Sequence, residues 1–356
     1  LNKIRAAIFG ASGMVGQRFV SMLQDHPQIE LIAAYSSDRS RGRRLEDIWK
    51  LPEITLSEDT ASMKLEKLSI NDAVKKRIEI AFGALPADLA KQVEIEAASA
   101  GLAIFSNASA YRMEADVPIL IPEINFDHLG IVDLQRENRE FKGFIVTNAN
   151  CSVTGLAVAL KPLVDRYSFS DVHVSTYQAI SGAGYPGIPS LDINANCFPF
   201  IKNEEEKMNR EARKILGEYN GKDIVPRDIE VWPHCVRVPS RDGHLEAVSI
   251  SIEGEQPTLE EVVKTFSSFT GMPQKLRLPS APEKPVIVRR EDDRPQPLLD
   301  AMAGSPARAR GMAVSVGRIR VDRNLLRFFC LVHNTIRGGA GDSVLNAECA
   351  IHEGKI

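Results

Sequence analysis

The stretch Ile4-Arg5-Ala6-Ala7-Ile8-Phe9-Gly10-Ala11-Ser12-Gly13-Met14-Val15-Gly16, followed by Gln17-Arg18-Phe19-Val20-Ser21-Met22-Leu23, decides the fold. Ile4 to Phe9 is apolar apart from Arg5 and reads as a strand. From Gln17 the apolar spacing suits a helix. The glycines between them follow G-x-x-G-x-x-G, a variant of the dinucleotide fingerprint G-x-G-x-x-G. Glycines let the backbone approach a pyrophosphate, and the helix N-terminus offers it N–H groups. A glycine-rich loop alone is a weak sign, but here a strand precedes it and a helix follows. Gly10, Ser12, Gly13, Met14 and Val15 are therefore candidate cofactor contacts.

Working outward, Ile29 to Tyr35 is a second strand. A site specific for NAD ends this strand with an acid for the ribose 2′-hydroxyl. Here Ser36 and Ser37 come first, then Asp38, Arg39, Arg41, Arg43 and Arg44. Hydroxyls and guanidinium groups suit a 2′-phosphate. NADP is the expected cofactor, with Ser36, Ser37 and Arg39 as contacts, and Asp38 leaves NAD open. Ile78 to Pro86 is a further strand and loop, carrying Leu85, and a helix follows over Ala87 to Ala100. Gly101 to Asn107 is another strand. Alternating strands and helices imply a doubly wound parallel sheet with ligand at the strand C-terminal ends. That places Leu85, Asn107 and Arg112 on the rim. Residues 126–143 are polar and read as helical.

Phe144-Ile145-Val146 then enters Thr147-Asn148-Ala149-Asn150-Cys151-Ser152-Val153-Thr154-Gly155, and a helical run leaves it. A thiol at a helix N-terminus feels the positive end of the dipole, which favours thiolate. Cysteine is also a common small buried hydrophobe, and local sequence leaves both readings open.

Beyond Cys151 the pattern changes to strands with a few helices, an α+β unit on a mixed, mostly antiparallel sheet. Val172 to Ala179 is a strand carrying Gln178, followed by the turn-rich Ser181-Gly182-Ala183-Gly184-Tyr185-Pro186-Gly187. Residues 203–219 read as one helix whose first turns hold Glu204, Glu205, Glu206 and Lys207. Val236 to Pro239 leads to Asp242-Gly243-His244, and Leu245 to Ile252 alternates as a strand. Residues 280–300, rich in proline and charge, read as a connection or subunit-contact arm outside the core. Gly311 to Arg320 and Leu325 to Val332 are strands. His333 to Gly341 turns into a last helix over Asp342 to His352, which can return the chain to the first unit. The expected division is 1–150, joined by 334–356, as an α/β Rossmann-type domain, and 151–333 as the second domain.

The chain's 356 residues are too many for one simple core. Its 44% hydrophobic and 26% charged content is that of a soluble protein. A net charge of −3 gives no reason to expect nucleic acid or an acidic membrane as partner. No apolar run approaches the length of a membrane span, and no secretory h-region is read. The five cysteines are widely spaced without C-x-x-C. Neither a disulfide framework nor a metal site is expected, and a reducing cytoplasm fits best.

Six segments together resemble aspartate-β-semialdehyde dehydrogenase, in the branch shared by archaea and fungi. They are Gly10 to Gly16, Ser106 to Met113, Thr147 to Ser152, Tyr177 to Gly187, Arg237 to His244 and Asn334 to Gly341. They span nearly the whole chain in the family's order. The resemblance implies reduction of L-aspartyl 4-phosphate to L-aspartate 4-semialdehyde by NADPH with release of phosphate. That step feeds lysine, threonine, methionine and isoleucine synthesis. It implies that Cys151 forms an acyl thioester, whose carbonyl accepts hydride more readily than an ester or amide. His244 matches the family's Arg-x6-His segment and is implied as base, with His333 the rival on sequence alone. Gln178 is implied to orient the acyl group, and Asn150 to line the oxyanion or phosphate pocket.

Arg112 and Lys207 match phosphate-binding positions, and Arg237 the residue gripping the α-carboxylate. Glu204, at i to i+3 with Lys207, is favoured for the α-ammonium, with the triple Glu leaving a one-residue ambiguity. Ser181, Gly182 and Asn334 join the implied cofactor contacts. The family implies a homodimer or homotetramer, with the 311–332 strands as candidate contact surface and 151–333 as a catalytic and dimerisation domain.

Ala149 departs from the proline common in relatives. Malonyl-CoA reductase shares the Ser-Gly-Ala-Gly-Tyr-Pro-Gly loop, but Asn150-Cys151 argues against it. N-acetyl-γ-glutamyl-phosphate reductase shares the thioester logic in a different cysteine context. Outside these enzymes, a silent dinucleotide-binding redox sensor is opposed by the joint presence of Cys151, Gln178, Arg237 and His244.

Overall fold

Six parallel strands form the first sheet of the computed structural model, which describes residues 3–356. They are β1 (Ile4–Phe9), β2 (Ile29–Ser36), β3 (Leu65–Lys67), β4 (Ile80–Gly83), β5 (Ala103–Ser106) and β6 (Phe144–Thr147). The order β3-β2-β1-β4-β5-β6 is that of a dinucleotide-binding sheet, with the switch point between β1 and β4. The longer helices are α1 (Met14–Leu23), α2 (Ala87–Ser99), α3 (Ile131–Arg139), α4 (Cys151–Val164), α5 (Glu204–Ile215), α6 (Leu259–Ser267) and α7 (Gly341–His352). Every residue of β4, β5 and β6 is buried, as expected of parallel strands covered on both faces.

The glycine loop shows why its spacing matters. Gly10 has φ +97°, and a methyl group there would come within 2.5 Å of the Ala84 carbonyl oxygen. A methyl on Gly16 would lie 2.1 Å from the Gly10 carbonyl oxygen. Only hydrogen at both places lets α1 close onto the loop beneath it.

The second sheet comprises β7 (Asp171–Gln178), β10 (Glu230–Arg237), β11 (His244–Ser251), β12 (Val286–Val288), β13 (Val314–Asp322) and β14 (Leu325–Val332). A separate two-stranded pair is β8 (Glu218–Tyr219) with β9 (Ile224–Val225). In the order β10-β7-β11-β14-β13-β12 the three inner pairings are antiparallel and the two outer ones parallel. This is the expected mixed sheet, with two corrections. The helix expected over 203–219 stops at Ile215, because Gly217 packs against the Val225 carbonyl and the chain turns into β8. Residues 280–300 are not wholly outside the core: Val286–Val288 adds an edge strand to β13, and Val286 is buried.

α4 leaves the first sheet and packs on the second. Leu156, Leu160 and Leu163 join Val172, Val248 and Phe328 in one apolar cluster. Truncating such a buried leucine to alanine costs about 2–5 kcal/mol. Gly155 lies so close to β14 that a methyl there would meet Val332 Cγ1 at 2.7 Å. α7 does the reverse: Val344, Leu345 and Ala347 pack with Ile8, Phe19 and Phe82 of the first layer. The chain therefore crosses between layers within Asn148 to Cys151.

Candidate active site

Asn150 caps α4. Its Oδ1 accepts from the Ser152 N–H at 2.9 Å and the Val153 N–H at 3.3 Å, which makes Cys151 the first residue of the helix. Asn148, two residues earlier, donates from Nδ2 to Asn107 Oδ1 (2.9 Å) and to the Gly339 carbonyl (3.2 Å). The glycine turn before α7 packs on the backbone of Cys151, where a methyl on Gly338 would meet its Cα and Cβ at 2.9 Å.

Sheet register supplies the rest. Parallel pairing sets Arg237 at the end of β10 opposite Gln178 at the end of β7. Antiparallel β11 begins with His244 at that same edge. His244 Nε2 thus lies 3.2 Å from Cys151 Sγ, and its Nδ1 accepts from the Ala179 N–H at 3.0 Å. Gln178 Nε2 donates to Glu204 Oε1 at 3.1 Å, and Asn150 Nδ2 donates to the same carboxylate at 3.0 Å. Arg237 Nη1 donates to the Ala179 carbonyl at 2.7 Å. The triple Glu resolves here: Glu205 accepts from the Cys235 N–H and Glu206 pairs with Arg210, so Glu204 faces the site.

Two expectations shift. Asn150 spends its side chain on the cap and on Glu204, so it positions neighbours instead of opening a pocket of its own. The helix N-terminus does not make Cys151 a thiolate by itself. Burial pushes the thiol up to about 12, and Glu204 adds to this, against Arg237, Arg112 and the Ser152 N–H. His333 makes no hydrogen bond to the thiol among the described residues. It lines a separate cavity with Arg18, Glu53 and Asp242, and burial beside Arg18 lowers it to about 4.

The cations are placed by a residue the sequence reading passed over. Glu211 Oε1 pairs with Arg112 Nη1 at 3.0 Å, and its Oε2 accepts the Asn150 N–H at 2.7 Å. Arg112 Nη2 also donates to the Asn107 carbonyl at 2.9 Å. Glu204, Met208, Glu211 and Ile215 are all buried on one face of α5, at i, i+4, i+7 and i+11. That spacing was the available signal. Lys214, also buried, donates to the carbonyls of Arg112, Glu114 and Val117 and holds that turn. Lys207 is half-buried and, among the described residues, forms no ion pair.

A cleft of about 1410 Å³ runs past the strand ends. It is lined by Gly10, Ser12, Gly13, Met14, Val15, Ser36, Ser37 and Leu85, all expected, and by Gly184 and Tyr185 of the second unit. α1 has no acidic residue in its first turn and no side-chain cap, so its N-terminal amides are free for an anion. The residues fit a dinucleotide.

Arg39 is exposed and does not line the cleft, nor do Arg41, Arg43 and Arg44. Arg43 donates to the Asp47 carbonyl and Arg44 pairs with Glu46, both around a short helix. Lys67, at the end of β3, lines the cleft instead, 3.6 Å from Asp38. Ser181, Gly182 and Asn334 lie outside the lining. Asn334 donates to Ser181 Oγ (2.8 Å) and accepts from the Gly243 N–H (2.9 Å), tying two loops beside His244. A methyl on Gly182 would meet Arg237 Nη1 at 2.7 Å and His244 Cε1 at 3.2 Å. No cluster of metal-ligating side chains occurs among the described residues, and no helix among them is long and apolar enough to cross a membrane.

A dinucleotide-binding sheet joined to a hydrogen-bonded cysteine–histidine pair, its thiol partly accessible, defines an oxidoreductase that works through a thiol. Comparison with known proteins narrows the class. A family profile described as semialdehyde dehydrogenase, NAD binding domain, matches residues 5–131. A second, described as semialdehyde dehydrogenase, dimerisation domain, matches residues 160–337. An aspartate-semialdehyde dehydrogenase of Archaeoglobus fulgidus is 45% identical over 353 residues, covering 97% of each chain. The crystal structure of aspartate semialdehyde dehydrogenase with NADP from Candida albicans superposes with a TM-score of 0.87 at 35% identity, covering 100% of both chains. A malonyl CoA reductase (NADP) of Metallosphaera sedula is 37% identical, covering 99% of this chain and 98% of its own. The chain belongs to the aspartate-semialdehyde dehydrogenase family, as its sequence motifs imply.

Proposed function

We propose that the chain reduces L-aspartyl 4-phosphate to L-aspartate 4-semialdehyde with NADPH, releasing phosphate, in the synthesis of lysine, threonine, methionine and isoleucine. One observation carries this reading. Cys151 sits at a helix start with His244 on its sulfur and with Glu204, Arg237 and Arg112 close enough to act on its charge. A substrate with an ammonium, a carboxylate and a phosphate requires that arrangement of opposite charges. Arg237 takes the α-carboxylate, Glu204 the α-ammonium, and Arg112 with Lys207 the phosphate.

The Cys151 sulfur attacks the acyl carbon. Gln178 and Asn150 act by holding Glu204 in place, so that the substrate's amino end fixes the acyl carbon against the sulfur. NADPH bound along Gly10 to Val15, Ser36, Ser37 and Leu85 supplies the hydride. Arg39, Ser181, Gly182 and Asn334 belong to its surroundings, and Asn334 acts through the loops it ties. Residues 1–150 with 334–356 serve as the NADP-binding domain, and 151–333 as the catalytic and dimerisation domain. The packing of α7 on the first layer and of α4 on the second supports this division. The matched dimerisation profile supports a homodimer or homotetramer, and a cytoplasmic location fits the free cysteines.

The test is the reaction run backward with aspartate semialdehyde, phosphate and NADP, following NADPH absorbance. Phosphate-dependent turnover is expected. Full turnover without phosphate, or reduction of malonyl-CoA in its place, sinks the reading. Cys151→Ala is expected to abolish turnover while NADPH binding persists.

A further inference from the structure

The 180–187 loop of the second unit is fixed at its base and loose at its tip. At the base, the Ile180 N–H donates to the Ser240 carbonyl at 2.8 Å and the Ser181 N–H to the Arg241 carbonyl at 3.1 Å. The tip carries Tyr185 between Gly184 at φ +68° and Gly187 at φ +83°, a region glycine enters without strain. Among the described residues the Tyr185 side chain has one charged tie to the first unit: Lys50 Nζ lies 4.3 Å from the ring centroid, within cation–π range. Yet Gly184 and Tyr185 are the two residues that the second unit contributes to the cofactor cleft. The wall of the cleft on that side is its least anchored part.

Lys50 is exposed, but its main chain is held. Its N–H donates to Gln17 Oε1 at 2.7 Å, and Gln17 is fully buried on α1. From Nε2 the same Gln17 donates to the Ser12 carbonyl of the glycine loop at 3.1 Å and to the Ile48 carbonyl at 3.4 Å. Trp49 Nε1 closes the turn that follows, donating to the Leu51 and Ile54 carbonyls at 3.0 and 3.1 Å. A chain of contacts thus runs from the glycine loop through Gln17 to Lys50, and from Lys50 to Tyr185 of the other unit. Neither Gln17 nor Lys50 lines the cleft. A second tie between the units, Glu53 Oε2 to Arg241 Nη2 at 3.3 Å, meets the base of the loop and not its tip.

Building on the function proposed above, we propose that Lys50 is a positioning residue for the dinucleotide, acting through Tyr185. Its ammonium holds the Tyr185 ring as the second unit's wall of the cofactor cleft, and Gln17 ties that ammonium to the glycine loop on the other wall.

Two physical roles for this lysine separate by rate. Holding a loose wall in its bound position spares the cost of ordering it, and what is spared appears as slower departure of the ligand. A cation over an exposed aromatic ring shifts such an equilibrium about two- to fivefold. The rival role, attraction of the anionic cofactor by charge alone, acts on arrival and fades with salt. The held main chain of Lys50 and the glycines on either side of Tyr185 favour the first role.

The experiment is stopped-flow fluorescence of NADPH with the full chain, without substrate, giving association and dissociation rates. Lys50→Met keeps the apolar stem and removes the charge. It is expected to raise the dissociation rate about two- to fivefold and to leave the association rate unchanged. Lys50→Arg keeps a cation over the ring and is expected to restore the parent's rates. Tyr185→Leu removes the ring, and adding Lys50→Met to it is expected to change nothing further. A Lys50→Met dissociation rate equal to the parent's overturns the proposal. So does an effect on association in its place, or the same increase in the Tyr185→Leu background. A parent chain that binds no NADPH would overturn the proposed function as well, whereas binding with these rates unmoved overturns the role of Lys50 alone.

Discussion

Gly338 lies directly on Cys151: a methyl group at Gly338 would come within 2.9 Å of both Cα and Cβ of the cysteine. The contact is with the nucleophile's own backbone, so it cannot be relieved by a side-chain swing. Gly338→Ala is expected to displace the thiol from His244 and lower kcat by about a hundredfold, as a displacement of about 1 Å does elsewhere. NADPH affinity should change little, because Gly338 does not line the cleft. Steady-state kinetics beside a direct NADPH titration decide it, and an unchanged kcat refutes it.

Glu211 joins the two halves of the site, holding Arg112 with one oxygen and the Asn150 N–H with the other. Removing one partner of a buried pair costs about 3–5 kcal/mol, because the other charge is left without compensation. Glu211→Ala is expected to lower the urea midpoint markedly. Glu211→Gln keeps an acceptor and should fall in between, with its larger effect on the KM for the phosphorylated substrate. A Glu211→Gln midpoint equal to that of the parent would show that the charge of Glu211 carries nothing.

The cofactor side yields a prediction that reverses an expectation. The arginines after Ser37 carry the visible charge, yet Arg43 and Arg44 turn to the next helix and Lys67 reaches the cleft beside Asp38. Lys67→Ala is expected to raise the KM for NADPH about tenfold, the value of one charge-assisted contact, and to leave that for NADH nearly unchanged. Arg39→Ala should be nearly silent. The converse pattern would return the 2′-phosphate to the arginine loop.

These cases show where sequence stops. β1 with its glycine loop, α2, α4 and β14 are legible because apolar period and turn residues act within a few positions of chain. Gln178, Arg237 and His244 are recognisable as residue types, but their meeting depends on register among three strands. β10 gives a weak strand signal because Pro233 interrupts it, which an edge strand tolerates. Nothing near Glu211 and Lys67 in sequence distinguishes a charged side chain turned inward. Thiol ionisation depends on burial, which local sequence does not report: the helix start at Cys151 favours thiolate, and burial pushes the thiol the other way.

Glu94 gives the clearest pH signature away from the thiol. It is buried on α2 beneath the ends of β4 and β5, where Ser106 Oγ donates to Oε1 at 2.6 Å and Oε2 has no partner. Burial raises its carboxyl from 4.5 to about 7, against opposing effects of Ser106 and Arg112. The sign follows from proton binding. Between those two values the folded chain holds a proton that the unfolded chain has released. Stability from this group is therefore present below about 4.5 and lost as pH rises through about 7. Glu94→Gln keeps an acceptor for Ser106 and has no charge to bury. Its advantage over the parent should be near zero at the acid end and grow to about 3 kcal/mol above neutrality. Urea unfolding of both proteins across that range checks this, and a difference that stays flat with pH would show that Glu94 ionises there as freely as in the unfolded chain.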